Sequence, residues 1–202
     1  MNRLLLVGLF LSSLVAGAVH AAPIGLPENT GRIGFAWGGE RLTVDDPDGD
    51  TKTKGTIRPF TLVYSDWLPR GGWRYWGEFY YQRTTLEASQ TEVGQDVRQI
   101  GARFSVQKSV RLAAKFAPWF GLGLDVSQAR YTDRHKLDLG GFRVPALEFG
   151  DRTKVHVNAL VNVIAEWKLN RRWAVGAKLE HSQPLGDGIR STNASALVMF
   201  RF

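Results

Sequence analysis

The stretch from Lys154 to Leu169, KVHVNALVNVIAEWKL, puts Val155, Val157, Ala159, Val161, Val163, Ala165, Trp167 and Leu169 on one side. Lys154, His156, Asn158, Asn162, Glu166 and Lys168 fall on the other, joined by Leu160 and Ile164. A two-residue period of this length predicts a β-strand, since no helix makes it amphipathic. The strand is about twice the usual soluble length, which suits a tilted strand crossing a bilayer. The pattern recurs. Ile33, Phe35 and Trp37 oppose Arg32, Gly34, Ala36, Gly38 and Glu40, and Phe60, Leu62 and Tyr64 oppose Thr61, Val63 and Ser65. Trp73, Tyr75, Phe79 and Tyr81 alternate with Arg74, Glu78, Tyr80 and Gln82, and Ile100, Ala102, Phe104 and Val106 with Gln99, Gly101, Arg103 and Ser105. Phe120, Leu122, Leu124 and Val126 oppose Gly121, Gly123, Asp125 and Ser127, and Trp173, Val175, Ala177 and Leu179 oppose Lys178 and Glu180. The chain closes on ASALVMFRF, with Ala194, Ala196, Val198, Phe200 and Phe202 in one register and Asn193, Ser195, Leu197, Met199 and Arg201 in the other. That makes eight strands, and no helix is predicted after residue 21.

The connections alternate in length. Short ones lie at 69–72, around 107–111 and at 170–172; longer polar ones lie at 45–54, around 87–94, from Thr132 to Thr153 and around 184–190. Short turns on one side and long loops on the other, with strands apolar on alternate residues, predict an all-β, eight-stranded antiparallel up-and-down transmembrane β-barrel. Trp67, Trp73, Trp119, Trp167 and Trp173 lie beside the short turns, so five of seven tryptophans are expected in a periplasmic-side aromatic belt. Closure requires the last strand to pair with the first, because a lipid-facing strand edge would leave backbone groups unsatisfied.

Composition changes the picture at the N-terminus. Arg3, the apolar run Leu4–Val15 and the small residues up to Ala21 read as a signal peptide over 1–21, with Ala18 and Ala22 as alternative cleavage points, leaving a single barrel domain over 22–202. Arg3 is the only charge it removes, so 25 basic and 19 acidic residues remain, a net +6. Behind an export signal this excess points to anionic head groups rather than nucleic acid. The absence of cysteine rules out a thiol nucleophile and cysteine-based metal sites.

These features together resemble the small eight-stranded outer-membrane proteins of Gram-negative bacteria. The resemblance implies recognition of the terminal strand, Val198, Phe200 and Phe202, by the barrel-assembly machinery. It also implies an outer membrane containing lipopolysaccharide as the surroundings, with no cofactor, and a monomer is expected.

Assigning the polar faces inward gathers Arg32, Arg74, Arg103, Lys178 and Arg201 with Glu40, Glu78, Asp125, Glu166 and Glu180. Five cations against five carboxylates predict a paired network plugging a lumen too narrow for a diffusion pore. Inward glycines, Gly101 and Gly121 among them, fit close packing better than a cavity. His156 is expected inward, beside Asp125 or Glu180. Outside the lumen, cations at Arg70, Lys108, Arg111, Lys115, Arg171 and Arg172 fall on the short-turn side. On the long-loop side Arg134, Lys136 and Arg143 are candidates for lipid head-group contacts, although the same loop can fold onto its own rim. The acidic DDPDGDTK stretch departs from a calcium loop, since the sixth and twelfth places from Asp46 hold Thr51 and Ile57, and it reads as a solvated loop.

One stretch invites an enzymatic reading. KLEHSQP is similar in layout to the outer-membrane lipid A deacylases, whose penultimate strand carries a His-x-Ser pair. His181 matches the histidine, but Gln183 stands at the serine place and Ser182 points to the other face. No Glu or Asp follows between Ser191 and Phe202 to orient a base. The expectation is a non-enzymatic barrel acting in envelope integrity or surface interaction through its loops. The alternatives are a narrow transport or binding barrel for a small hydrophobic molecule and, below that, a lipid A-modifying hydrolase.

Overall fold

A computed structural model describes residues 31–68, 72–110, 115–186 and 188–202. The signal segment 1–21 lies outside these residues, as do Arg70 and Arg111. The described chain contains ten strand segments and no helix: β1 (Arg32–Val44), β2 (Thr53–Ile57), β3 (Phe60–Trp67), β4 (Trp73–Leu86), β5 (Gly94–Ser109), β6 (Phe116–Leu137), β7 (Arg143–Phe149), β8 (Arg152–Lys168), β9 (Trp173–Pro184) and β10 (Ile189–Arg201). They make eight staves. β2 and β3 are one stave interrupted at Arg58 and Pro59, where proline cannot donate to the ladder. β7 and β8 both pair with β6 and form another, broken at Gly150 and Asp151.

Every neighbouring pair is antiparallel, and β10 pairs with β1 from Arg201↔Arg32 to Ile189↔Val44. The sheet is therefore a closed barrel with no free edge along its wall. Ile33, Phe35, Tyr75, Phe79, Phe104, Leu122, Val161 and Leu179 face outward and are exposed, while the alternate residues are buried inside. This is the inverse of a water-soluble barrel and the pattern of a membrane-spanning one.

The structure corrects two readings of the pattern. The span Thr132–Thr153, expected as a loop, continues the ladder: β6 runs to Leu137, and β7 returns along it as a hairpin standing above the wall. The hairpin tip leaves Leu139 and Phe142 exposed. Two members of the expected aromatic belt also point the other way. Trp119 is 2% exposed and Trp67 packs on the same inner cluster, the rings 5.1 Å apart and edge-on. Both lie beside turns, but both sit in the inward register of their strands, opposite in parity to Phe120 and Tyr64. Trp73, Trp167 and Trp173 do face outward, with Trp173 packed edge-on against Phe200 at 5.0 Å.

Inward glycines mark where large side chains cross the lumen. A Cβ on Gly101 would stand 2.7 Å from the Tyr80 ring and from Ser127, and one on Gly121 2.2 Å from the Asn162 side-chain oxygen Oδ1. Space beside these glycines is therefore filled. Gly101→Ala is expected to lower the thermal midpoint of the detergent-folded barrel by overpacking, a cost of about 1–3 kcal/mol. Gly77→Ala, where a Cβ meets nothing closer than 3.8 Å, should leave the midpoint within error. Heat-dependent migration on gels measures both, and equal midpoints would overturn the packing account.

Candidate functional site

The lumen is layered. Toward the short-turn end Ala36, Val63, Trp76, Trp119, Ile164, Ala174, Leu197 and Met199 form an apolar cluster. Toward the long-loop end Leu42, Val44, Ile57, Leu86, Val97, Ala129, Tyr131 and Ile189 form a second. Charged groups occupy the waist between them and the short-turn mouth.

Arg103 on β5 is the hub of the waist. Its guanidinium donates to both Glu40 oxygens at 2.9 and 3.0 Å and lies 2.9 Å from Glu180, 3.4 Å from Asp125 and 3.9 Å from Glu78. It also stacks over the Tyr80 ring at 4.0 Å. Lys178 holds Glu78 through both oxygens at 2.6 Å and reaches Glu180 at 3.3 Å. Neutral donors add to the shell: Trp76 Nε1 to Glu78, Tyr80 OH and Ser182 Oγ to Asp125, and Asn193 Nδ2 to Glu40. The second cluster is smaller. Arg74 donates to Glu166 at 2.6 Å and to Gln107 at 2.6 Å, and Arg32 binds the other Glu166 oxygen. The Arg74 guanidinium is sandwiched between Trp119 at 3.9 Å and Trp76 at 4.5 Å. That stacking is what occupies the inward Trp119, since a guanidinium face suits an indole.

The structure thus brings together nine of the ten sequence-predicted lumen charges. Arg201 sits half-buried at the mouth, opposite Arg32 in register. The even balance expected from the sequence does not hold locally. Four carboxylates (Glu40, Glu78, Asp125, Glu180) surround two cations (Arg103, Lys178) in the waist, and two arginines share one carboxylate below it. His156 is buried, as expected, and the partner seen for it is Tyr131, whose hydroxyl lies 2.8 Å from Nε2. Sequence reasoning passed over Tyr80, Ser182 and Asn193, whose only signal is polarity in an inward register.

Over the lumen the loops form a cap. Asp46, expected on a solvated loop, is 2% exposed. It accepts Arg134 at 2.7 Å, Arg152 at 2.8 Å and the Asp48 N–H at 3.0 Å. Arg134 also binds Asp48 and donates to the Gly150 carbonyl at 2.8 Å. Lys136 pairs with Asp50 at 3.1 Å, and Arg143 with Asp133 at 2.8 Å and Glu148 at 2.9 Å. Arg134 is therefore corrected from a head-group contact to a buried strut, and Lys136 and Arg143 are engaged by carboxylates of their own chain. Backbone bonds extend the cap: Asp50 and Thr51 N–H donate to the Thr91 carbonyl, and Leu137 N–H to Ser89. Burial opposes ionisation of Asp46, but the bond from Arg134, the Asp48 N–H and the Arg152 charge outweigh it and hold the carboxyl below its usual range.

His181 and Ser182 lie on opposite sides of β9. His181 Nδ1 is 2.9 Å from Thr192 Oγ1 on the outer face, whereas Ser182 Oγ donates to Asp125 in the lumen at 3.1 Å. Among the described residues no His, Asp and Glu side chains are grouped to hold a metal ion. A groove of about 730 Å³ runs across the outward face past Tyr75, Phe120, Val163 and His181.

Two expectations follow. Arg103→Ala strands several buried carboxylates and should lower the thermal midpoint sharply, by about 3–5 kcal/mol of stability. Asp125→Asn removes charge from a waist that already has carboxylates in excess and should cost far less; an equal loss in both melts would refute the local imbalance. For the cap, the depressed Asp46 carboxyl stabilises the native loops fully above its unfolded value of about 4 and progressively less as pH falls below that. Protection of the Asp50 and Leu137 amides, after correction for the pH dependence of the intrinsic exchange rate, should therefore fall below about pH 4, and Asp46→Asn should show the lowered protection already at neutral pH. Protection indifferent to both would remove Asp46 from the cap.

No protein-family profile and no curated protein sequence matches the chain. Solved structures do. Ail, the attachment invasion locus protein of Yersinia pestis, superposes with a TM-score of 0.52 at 16% identity over 85% of this chain and 99% of its own. Neisserial surface protein A gives 0.53 at 15% identity over 85% and 97%, and OprG from Pseudomonas aeruginosa 0.52 at 10% identity over 86% and 94%. At these identities the likeness is one of fold: the chain is built as a small eight-stranded outer-membrane barrel.

Proposed function

We propose that this protein is an integral protein of a Gram-negative outer membrane that acts without catalysis, as a monomer, through the surface its long loops present. Export by the 1–21 segment and recognition of Val198, Phe200 and Phe202 by the assembly machinery belong to this reading, as does lipopolysaccharide around the outer half. Its role is envelope integrity or surface interaction. The observation that carries it is the filled lumen: buried ion pairs at the waist, apolar layers on either side of it and a cap tied by Asp46. An open channel has a water-lined path, and here inward side chains bond to one another instead. Against a hydrolase stands the separation of His181 from Ser182 across the β9 backbone, which a nucleophile and its base do not tolerate.

Single-channel recording of the refolded protein in planar bilayers tests this. Wild type and Asp125→Ala should both give no steps, or rare ones indifferent to the substitution. Steady conductance changed by Asp125→Ala would mean an open lumen and a transport function.

A further inference from the structure

On the outside of the barrel the register sets three like charges side by side. Arg83 on β4 stands directly opposite Arg98 on β5, and Arg98 directly opposite Arg130 on β6. All three point outward, the Arg83 and Arg130 side chains 53% and 64% exposed. Directly opposed neighbours are about 5 Å apart at Cβ, and like charges so placed repel. Counter-charge from the chain itself is thin. Arg83 meets Asp96 at 3.3 Å and Arg130 meets Asp151 at 3.7 Å, exposed pairs of small value. Arg98, in the middle, makes no salt bridge among the described residues, although it contributes to the field at Asp96. The row gives the isolated fold no benefit.

Its level on the barrel is informative. Trp73, Lys108 and Phe120 form one rung at the short-turn end, and Arg83, Arg98 and Arg130 form the rung ten residues further along the same three strands. Ten residues rising about 3.3 Å each on strands tilted by about 40° climb roughly 25 Å, the height of the apolar band of such barrels. The outward rung just below holds Tyr81, Ile100 and Gln128; the one just above holds Thr85, Asp96 and Thr132. The arginines stand where hydrocarbon ends and head groups begin.

We propose that Arg83, Arg98 and Arg130 form a docking site for the phosphate groups of an outer-leaflet glycolipid, whose acyl chains lie along the rungs beneath. Planar guanidinium groups bind phosphate oxygens in pairs, and a lipid phosphate supplies the negative charge that the row lacks. The assignment needs the barrel to be membrane-embedded with its long loops outward, but not a sealed lumen, so a conducting channel would leave it standing.

The test titrates the refolded protein in zwitterionic micelles with bisphosphorylated lipid A and, in parallel, with lipid A stripped of phosphate. Bound lipid is read by native mass spectrometry and by the rise in thermal midpoint. Each arginine at an anionic surface is worth about a factor of five, so Arg98→Gln should weaken binding about fivefold. The triple change Arg83→Gln, Arg98→Gln, Arg130→Gln should weaken it on the order of a hundredfold. In lipid-free micelles the triple variant should melt close to wild type, because the like-charge crowding it relieves offsets the two weak exposed pairs it loses; this also reports that it folds. Wild type should take up the dephosphorylated lipid no better than the triple variant takes up the phosphorylated one. Equal binding by wild type and triple variant, equal uptake of the two lipids by wild type, or displacement by inorganic phosphate at comparable concentration would each overturn the assignment.

Discussion

The rest of the structure follows from the need to satisfy every backbone N–H and C=O on a wall that faces hydrocarbon. A row of unpaired groups there costs several kcal/mol for each group, so the sheet has to close. Closure is made by β10 on β1, thirteen paired positions from Arg201↔Arg32 to Ile189↔Val44. Closing with eight staves then fixes a narrow interior, just wide enough for side chains to fill. Inward residues are left with two ways to be stable: pack as apolar layers, or carry charge and pair. This chain does both, in alternating layers.

The waist shows how such a layer is specified. Arg103 reaches four carboxylates drawn from β1, β4, β6 and β9, so one guanidinium ties together strands far apart in sequence. Buried ion pairs rarely add much net stability over an apolar equivalent, yet breaking one is expensive. Their contribution here is to register. A slip of one residue in β5 would turn Arg103 into the lipid and bring Phe104 into the waist.

Much of this could be read from the chain. The strand count, the closing pair and the inward placement of Glu40, Glu78, Arg103, Asp125, Lys178 and Glu180 all follow from a period of two, which is local. Parity outweighs a second cue where the two conflict. Adjacency to turns points Trp67 and Trp119 to an interfacial belt, whereas Tyr64 and Phe120 in the same strands set the outward register and leave both tryptophans inside. The cap was illegible for a different reason. Asp46 meets Arg134 and Arg152 across 88 and 106 residues of chain, and no periodicity links loops at that separation. Nor did single strands reveal the arginine row, which exists only once β4, β5 and β6 are aligned.

The strut at Asp46 bears on how the outer surface of this protein can change over generations. Loop positions are usually free to drift independently, but here one carboxylate holds an arginine from β6 and another from β8. Losing it takes from both arginines the partner they share, and losing either arginine removes one of the two cations that hold a buried acid, so the three positions constrain one another. Sequence novelty is channelled elsewhere, to the hairpin tip between Asp138 and Phe142, where Gly141 makes the turn with positive φ and Leu139 stands 91% exposed. The membrane-distal end therefore joins an inherited frame to a replaceable crest, and diversity among descendants of this chain will concentrate on the crest.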